Sequence, residues 1–347
     1  MPTVLVTGGA GYIGSHAVKA LAFAGHRVVV YDNLSAGHLA AVEAVQAALQ
    51  RHGRDPRTVS FIHGDVRDTD RLTSTLSAEA AHAVMHFAAW LTVNDSVFNP
   101  VGYYDNNVGG ALSVLEAMVR AEVRVFVFSS TCAIFGEPSQ VPIDEALPKA
   151  PINAYGETKL AIERALPHYA RAYGLKWVAL RYFNAAGADP DGDIGEDHSP
   201  EIHIIPRAID AAFGRGRLAV FGTDYPTPDG TCQRDYIHVT DLADAHLRAL
   251  SHLLGGGDSE AFNVGNGRPH TVLEVIKAVE AVTGRPLSYA VEPRREGDPA
   301  ALFASNARIR HALGWRPQYD DLHAIVDTAS RWRAAHPHGY GEPKVGQ

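Results

Sequence analysis

The sequence predicts an α/β protein built on a doubly wound parallel sheet, with a smaller α/β domain toward the C-terminus. Three observations carry this expectation. Short continuous apolar runs alternate with amphipathic stretches over the first half of the chain. A glycine cluster joins the first apolar run to the first amphipathic stretch, and after Asn184 the texture turns loop-rich. Strands that are apolar throughout are buried on both faces, the habit of parallel sheets covered by helices on each side.

Val4-Leu-Val6 is the first apolar run. It meets glycines, then an alanine-rich helical stretch over Ser15–Ala24 that Gly25 is placed to stop. Val28-Val-Val-Tyr31 completes a β-α-β unit. Ser60–His63, Ala83–Phe87, Val125–Phe128 and Trp177–Phe183 read as further strands, with helical patterns over Ala111–Arg120 and Thr158–Tyr173. Beyond Asn184, Asp189-Pro-Asp-Gly-Asp and Asp224-Tyr-Pro-Thr-Pro-Asp-Gly read as loops. The expected division is residues 1–183 and 184–347, with 236–254 returning to pack on the first part. Glu43–Arg57 reads as a helix and loop without chemistry, and there is no internal repeat.

The 347 residues are 46% hydrophobic and 20% charged, which argues for a folded chain. A net charge of −8 gives no general attraction for nucleic acid or an anionic membrane, so neither partner is expected. An anionic substrate would need a local cluster of arginines. Cys132 and Cys232 have neither metal spacing nor a C-x-x-C pattern, which reads as a reduced cytosolic protein. The opening Met1-Pro-Thr-Val lacks a basic n-region, and no apolar run approaches the ~18 residues of a membrane span, so cytoplasm is the expected compartment. Among the eighteen histidines, His198, His203 and His238 form no H-E-x-x-H spacing, and no metal site is expected.

Gly8-Gly-Ala-Gly-Tyr-Ile-Gly14 holds G-x-x-G-x-x-G from Gly8 and G-x-G-x-x-G from Gly9. It follows a strand and opens a helix, whose first N–H groups are free to meet phosphate oxygens. That is the context of a Rossmann-type dinucleotide site. Asp32 ends the second strand, 18 residues after Gly14. A carboxylate there accepts hydrogen bonds from ribose hydroxyls and repels a 2′-phosphate, which favours NAD over NADP. Asp65 follows the third strand and is placed to reach the adenine.

Tyr155-Gly-Glu-Thr-Lys159 puts a tyrosine and a lysine on one face of a helix. A phenol titrates near ~10, and a neighbouring ammonium together with a cationic nicotinamide favours the phenolate. The pair follows Ser129-Ser-Thr131 at a strand end.

With these residues in view, the chain resembles the extended short-chain dehydrogenase/reductase family and, within it, the UDP-glucose 4-epimerase (UDP-galactose 4-epimerase) group. The likeness runs nearly end to end. Val6-Thr-Gly-Gly-Ala-Gly-Tyr-Ile-Gly-Ser-His16, Tyr104-Asp-Asn-Asn-Val108, Leu180-Arg-Tyr-Phe-Asn184, Gly222-Thr-Asp-Tyr-Pro-Thr-Pro-Asp-Gly-Thr231, Arg234-Asp-Tyr-Ile-His-Val239 and Arg294-Arg-Glu-Gly-Asp298 carry it. The resemblance implies that Tyr155 takes the proton of the sugar 4-hydroxyl as hydride leaves carbon 4 for NAD. The 4-keto sugar then turns over, and hydride returns to its other face. Thr131 hydrogen-bonds the reacting hydroxyl, and Lys159 grips the nicotinamide ribose.

It further implies cofactor contacts at Gly8, Gly11, Tyr12, Ile13, Gly14, Asp32, Asn33, Asp65, Val66, Phe87, Ala88, Ala89, Asn106 and Tyr182, besides Tyr155 and Lys159. For a UDP-sugar substrate it implies Asn184 at the sugar and diphosphate, Arg234 and Arg295 on the diphosphate, Asp298 at the uridine ribose and Phe221 beside the uracil. Paired guanidiniums suit phosphate oxygens, since each donates two parallel hydrogen bonds. A homodimer is implied, packed through helices around 102–119 and 157–173.

Three positions depart from the pattern. Leu91 stands where some relatives carry a lysine on the cofactor diphosphate. His203 replaces an asparagine before the uridine-side helix. Leu302 replaces a tyrosine that limits room at the sugar 2-position, so an N-acetyl group there is expected to be tolerated. Dehydratases on this scaffold place a carboxylate just after the serine or threonine; here Cys132-Ala-Ile-Phe follows, and elimination lacks its general acid. A regulator that only binds NAD would dispense with the tyrosine or lysine, and both stand. A dehydrogenase releasing its reduced cofactor is the remaining alternative on the same scaffold.

Overall fold

The computed structural model describes residues 1–295 and 298–341. Seven parallel strands form the main sheet: β1 (Thr3–Thr7), β2 (Arg27–Asp32), β3 (Val59–His63), β4 (Ala83–His86), β5 (Val125–Thr131), β6 (Lys176–Tyr182) and, from much later in the chain, β10 (Glu260–Val264). Their order is β3-β2-β1-β4-β5-β6-β10, so the chain reverses direction across the sheet between β1 and β4. In such sheets ligands bind beyond the carboxyl ends of the strands, at this reversal.

The expected burial on both faces is present. Val4, Val6, Val28 and Val30 point into one core, and Leu5, Val29 and Tyr31 into the other. Successive side chains of a strand alternate between faces, so a strand covered twice must be apolar throughout. The helices Tyr12–Phe23 and Val239–Leu254 pack together on the first face, which brings most of 236–254 back onto the sheet. Glu260–Val264, read in the sequence with the C-terminal part, also rejoins the sheet and pairs with β6.

The remaining strands belong to the C-terminal part. β9 (Gln233–His238) lies between β11 (Pro269–Thr271) and β13 (Ala301–Leu302) and also pairs with β7 (Asn184–Ala186). β8 (Leu218–Phe221) pairs with β12 (Tyr289–Glu292). Helices Ile204–Ala212, Val272–Thr283 and Leu322–Ala335 close a separate core around Ile209, Val279 and Val326. Among the described residues no helix is long and apolar enough to cross a membrane.

Candidate active site

A cleft of about 420 Å³ opens at the carboxyl ends of β1, β4, β5 and β6, within the ~300–1,000 Å³ usual for ligand pockets. Its first wall is the glycine turn. Gly8 has φ +70°, and a Cβ there would lie 2.5 Å from the Ala88 nitrogen, so only glycine lets the β1 and β4 loops meet. A Cβ on Gly14 would fall 2.1 Å from the Gly8 carbonyl. The helix beginning at Tyr12 has no side-chain cap on its N-cap residue Gly11, and Gly11, Tyr12, Ile13 and Gly14 all line the cleft. Uncapped N–H groups at a helix start attract anions.

Asp32 sits on the same wall, buried, and accepts from the Ala10 N–H at 3.0 Å and the Leu34 N–H at 2.8 Å. Burial raises its pKa and these two bonds oppose that. A carboxylate with lone pairs to spare beside an uncapped helix fits the ribose and pyrophosphate of a dinucleotide. Asn33, Val66, Phe87, Ala88, Ala89, Asn106 and Tyr182 line the cleft as well. Asp65 does not. Its carboxylate is engaged by Arg67 at 2.8 Å and by the Asn33 amide at 3.1 Å, which holds it well below the usual carboxylate range. It holds Asn33, which does line the cleft.

The second wall carries Tyr155, Lys159 and Thr131. Asn153 caps the helix Ala154–Tyr173 by accepting from the Gly156 N–H at 2.8 Å, which sets Tyr155 at its second residue, near the positive end of the helix dipole. Lys159 donates to the Ser129 carbonyl at 2.8 Å and lies 6.0 Å from the Tyr155 ring centre. Thr131, the last residue of β5, accepts from the Ala133 N–H at 3.1 Å, leaving its hydroxyl proton for another acceptor. The lowering of the Tyr155 pKa expected from Lys159 is not what the polypeptide alone produces. Burial pushes the Tyr155 phenol up to about 12, with the Thr131 hydroxyl opposing. Burial also pulls Lys159 down to about 7, which weakens its influence as a cation.

At the far end stand Asn184, His203, Arg234, Asp298 and Leu302, all on the cleft, with Leu91 on the cofactor side. Arg234 is fixed by the Gln233 and Pro299 carbonyls at 2.7 and 2.9 Å and pairs with Asp298. The expected diphosphate and ribose contacts are thus each other's partners. Phe221 and Arg295 do not line the cleft; the Arg295 guanidinium packs 3.9 Å from the Phe221 ring centre, an arrangement the ring face favours. Glu296 and Gly297 of the Arg294–Asp298 motif lie outside the described residues.

Other contributors escaped the sequence reading. A π-helical turn over Tyr104–Gly109 turns Asn107 inward, where it accepts from the Trp90 N–H at 2.8 Å and donates to the Trp90 carbonyl and to Thr158. Such turns recur at functional sites, and here one clamps the β4 loop to the helix carrying Tyr155. Its signal in the sequence was the Tyr104-Asp-Asn-Asn-Val108 motif. Beneath Ser130, Glu163 and Arg181 form a buried pair at 2.6 Å.

Residues 4–265 match the NAD dependent epimerase/dehydratase family. A UDP-glucose 4-epimerase of Halalkalibacterium halodurans is 50% identical over 338 residues, 97% of each chain. A UDP-glucose 4-epimerase of Brucella ovis, solved in complex with NAD, superposes with a TM-score of 0.89 at 49% identity, over 95% of this chain and 98% of that one. One from Bifidobacterium longum, in complex with NAD+ and UDP, gives 0.90 at 36% identity, over 97% and 99%. With the glycine turn, Tyr155 and Lys159 in place on the sheet that this likeness spans, the chain belongs to the NAD dependent epimerase/dehydratase family.

Proposed function

We propose that the chain interconverts UDP-glucose and UDP-galactose by inversion at sugar carbon 4, with NAD held throughout. The observation that carries this reading is the position of Tyr155, Lys159 and Thr131 on one wall, between the uncapped helix at Gly11 and the Arg234 end of the cleft. NAD, when bound, supplies a hydride acceptor that is restored within each turnover. The chain's own residues do the proton work. Tyr155 takes the 4-hydroxyl proton, Thr131 hydrogen-bonds the same oxygen, and Lys159 orients the ribose. Asn184 and Arg234 hold the diphosphate, and the sugar turns about that fixed point. No carboxylate follows Thr131, which disfavours dehydration.

Incubation with a panel of UDP-sugars, read by NMR, tests the reading. Inversion at carbon 4 with unchanged mass and no net reduced nicotinamide is expected. Loss of water, or accumulating reduced cofactor, overturns it. Leu302 on the cleft wall, smaller than tyrosine, extends the reading to UDP-GlcNAc and UDP-GalNAc; undetectable turnover of both removes that extension.

The outer surface supports a reading of the assembly. Val97, Phe98, Val101, Tyr104, Leu112 and Tyr173 are exposed around the helices at 102–119 and 157–173. This apolar surface supports a homodimer through both helices, and light scattering at micromolar concentration tests it. A cytoplasmic setting goes with free Cys132 and Cys232.

A further inference from the structure

The loop between β7 and the helix Ile204–Ala212 gathers two sets of charged side chains. In the first, Asp189, Asp191 and Asp193 close around the Lys19 ammonium at 2.6, 3.1 and 2.9 Å. The protein supplies its own cation there. In the second there is no lysine. One carboxylate oxygen each of Glu196 and Glu201 and one ring nitrogen each of His198 and His203 lie within 4.8 Å of one another. His198 Nδ1 is 3.1 Å from Glu196 Oε1 and 3.9 Å from Glu201 Oε1. His203 Nδ1 touches Glu196 Oε1 and is 3.6 Å from Glu201 Oε1.

We propose that Glu196, His198, Glu201 and His203 bind a divalent transition-metal cation, zinc above all, as a structural staple of the cleft wall. Four ligand atoms at ~2.0–2.1 Å from a tetrahedral zinc ion stand about 3.3 Å apart, and the distances here bracket that value. Two nitrogens and two oxygens make a donor set of intermediate hardness that suits zinc and excludes magnesium and calcium, which prefer all-oxygen shells. Charge permits the exchange. Burial disfavours charged imidazoles here, but Glu196 and Glu201 outweigh it and raise both His198 and His203 above their ordinary range; one divalent ion can replace those two protons with no change in total charge. Arg333 takes no part: its Nε donates to Asp210 at 3.0 Å, and its nearest approach to Glu201 is 3.8 Å. Glu201 Oε1 accepts from the Ile202 and His203 N–H groups at 2.9 and 3.0 Å, which fixes the carboxylate beside the two rings, and its Oε2 is buried with no hydrogen-bond partner among the described residues.

All four positions are protein side chains, which is the mark of a structural rather than a catalytic ion. What it would fix is visible. His198 and His203 line the cleft, and the His198 ring meets Tyr12 edge-on at 6.1 Å between centres. Tyr12 opens the phosphate-facing helix and donates from its hydroxyl to the Gly187 carbonyl at 2.7 Å. An ion here holds the loop to the cofactor side at its far end, as Lys19 does at its near end.

The test uses untagged full-length enzyme, desalted after exposure to a stoichiometric excess of zinc. Elemental analysis is expected to give one zinc per chain, and thermal melting in zinc to exceed melting in EDTA. Magnesium is expected to have no effect. His198→Asn and Glu196→Gln, each checked for native circular dichroism, should weaken zinc binding by about 100-fold or more in competition with a chromogenic chelator. A wild-type chain that retains no zinc overturns the proposal. So does zinc binding that His198→Asn leaves unchanged, which would place the ion on other histidines. Should Glu196→Gln misfold, the His198→Asn result and the wild-type stoichiometry decide alone.

Discussion

The Lys159 ammonium donates to the Ser129 carbonyl at 2.8 Å, tying the helix of Tyr155 to the strand that ends in Thr131. Burial pulls this lysine from its ordinary 10.5 to about 7. Between those values the unfolded chain holds a proton that the folded chain does not, so stability gains from rising pH across the window and loses the gain below it. Lys159→Met removes the group. In urea unfolding of the cofactor-free chain, wild type should gain on the variant by up to about 1.4 kcal/mol per pH unit above pH 7. A difference between the two proteins that does not change with pH rules out the buried, neutralised lysine.

Tyr155 faces the opposite problem, since a phenol pushed up to about 12 is scarcely ionised at neutral pH. Its proton comes off as pH rises, so the base is lost on the acid side. Cationic nicotinamide beside it favours the phenolate. The phenolate absorbance that wild type shows and Tyr155→Phe lacks should therefore appear at lower pH with NAD+ than without. Turnover of Tyr155→Phe should fall by roughly 10²–10⁴-fold, with the KM for UDP-galactose little changed. Near-normal turnover would remove the proton-transfer role.

Asp32 is held by two backbone N–H groups at the edge of the cofactor wall. Asp32→Ser removes the carboxylate that opposes a 2′-phosphate. The preference for NAD over NADP should narrow by about tenfold, roughly 1.4 kcal/mol, measured by fluorescence titration of both cofactors.

Glu163 and Arg181 are both almost fully buried, and Ser130 donates to the same carboxylate. Breaking such a pair strands one charge in the core. Arg181→Met should cost about 3–5 kcal/mol in urea unfolding, and adding Glu163→Leu should recover most of it. If the double variant is as unstable as the single, packing and not the stranded charge sets the cost.

Much of this was legible in the residues. Val4–Val6 and Val28–Tyr31 read as strands because burial on both faces demands an unbroken apolar run, and Tyr155 with Lys159 read as a pair because helical spacing puts residues four apart on one face. Phe221 and Arg295 show a contact that chain order does not give: they stand against one another across β8 and the segment after β12. Glu163 and Arg181 join a helix to a strand, a distance that periodicity cannot measure. The Glu196–His203 cluster lies in a loop without a period, where only the path of the folded chain reveals which side chains meet.

Asn107 shows how far the site depends on such unreadable contacts. Its amide holds both backbone groups of Trp90 and reaches Thr158 at 3.2 Å, one residue before Lys159. Leucine has similar volume and makes none of these bonds. Asn107→Leu should leave the part-buried Trp90 N–H and carbonyl without these partners and destabilise the chain by about 1–3 kcal/mol. The loop it releases includes Phe87, Ala88 and Ala89, which line the cofactor half of the cleft. Calorimetric titration should then show NAD+ affinity falling more than the affinity for UDP, for which the Arg234 end is the proposed site. Equal losses for the two ligands would mean that Asn107 supports the fold as a whole instead of the cofactor wall.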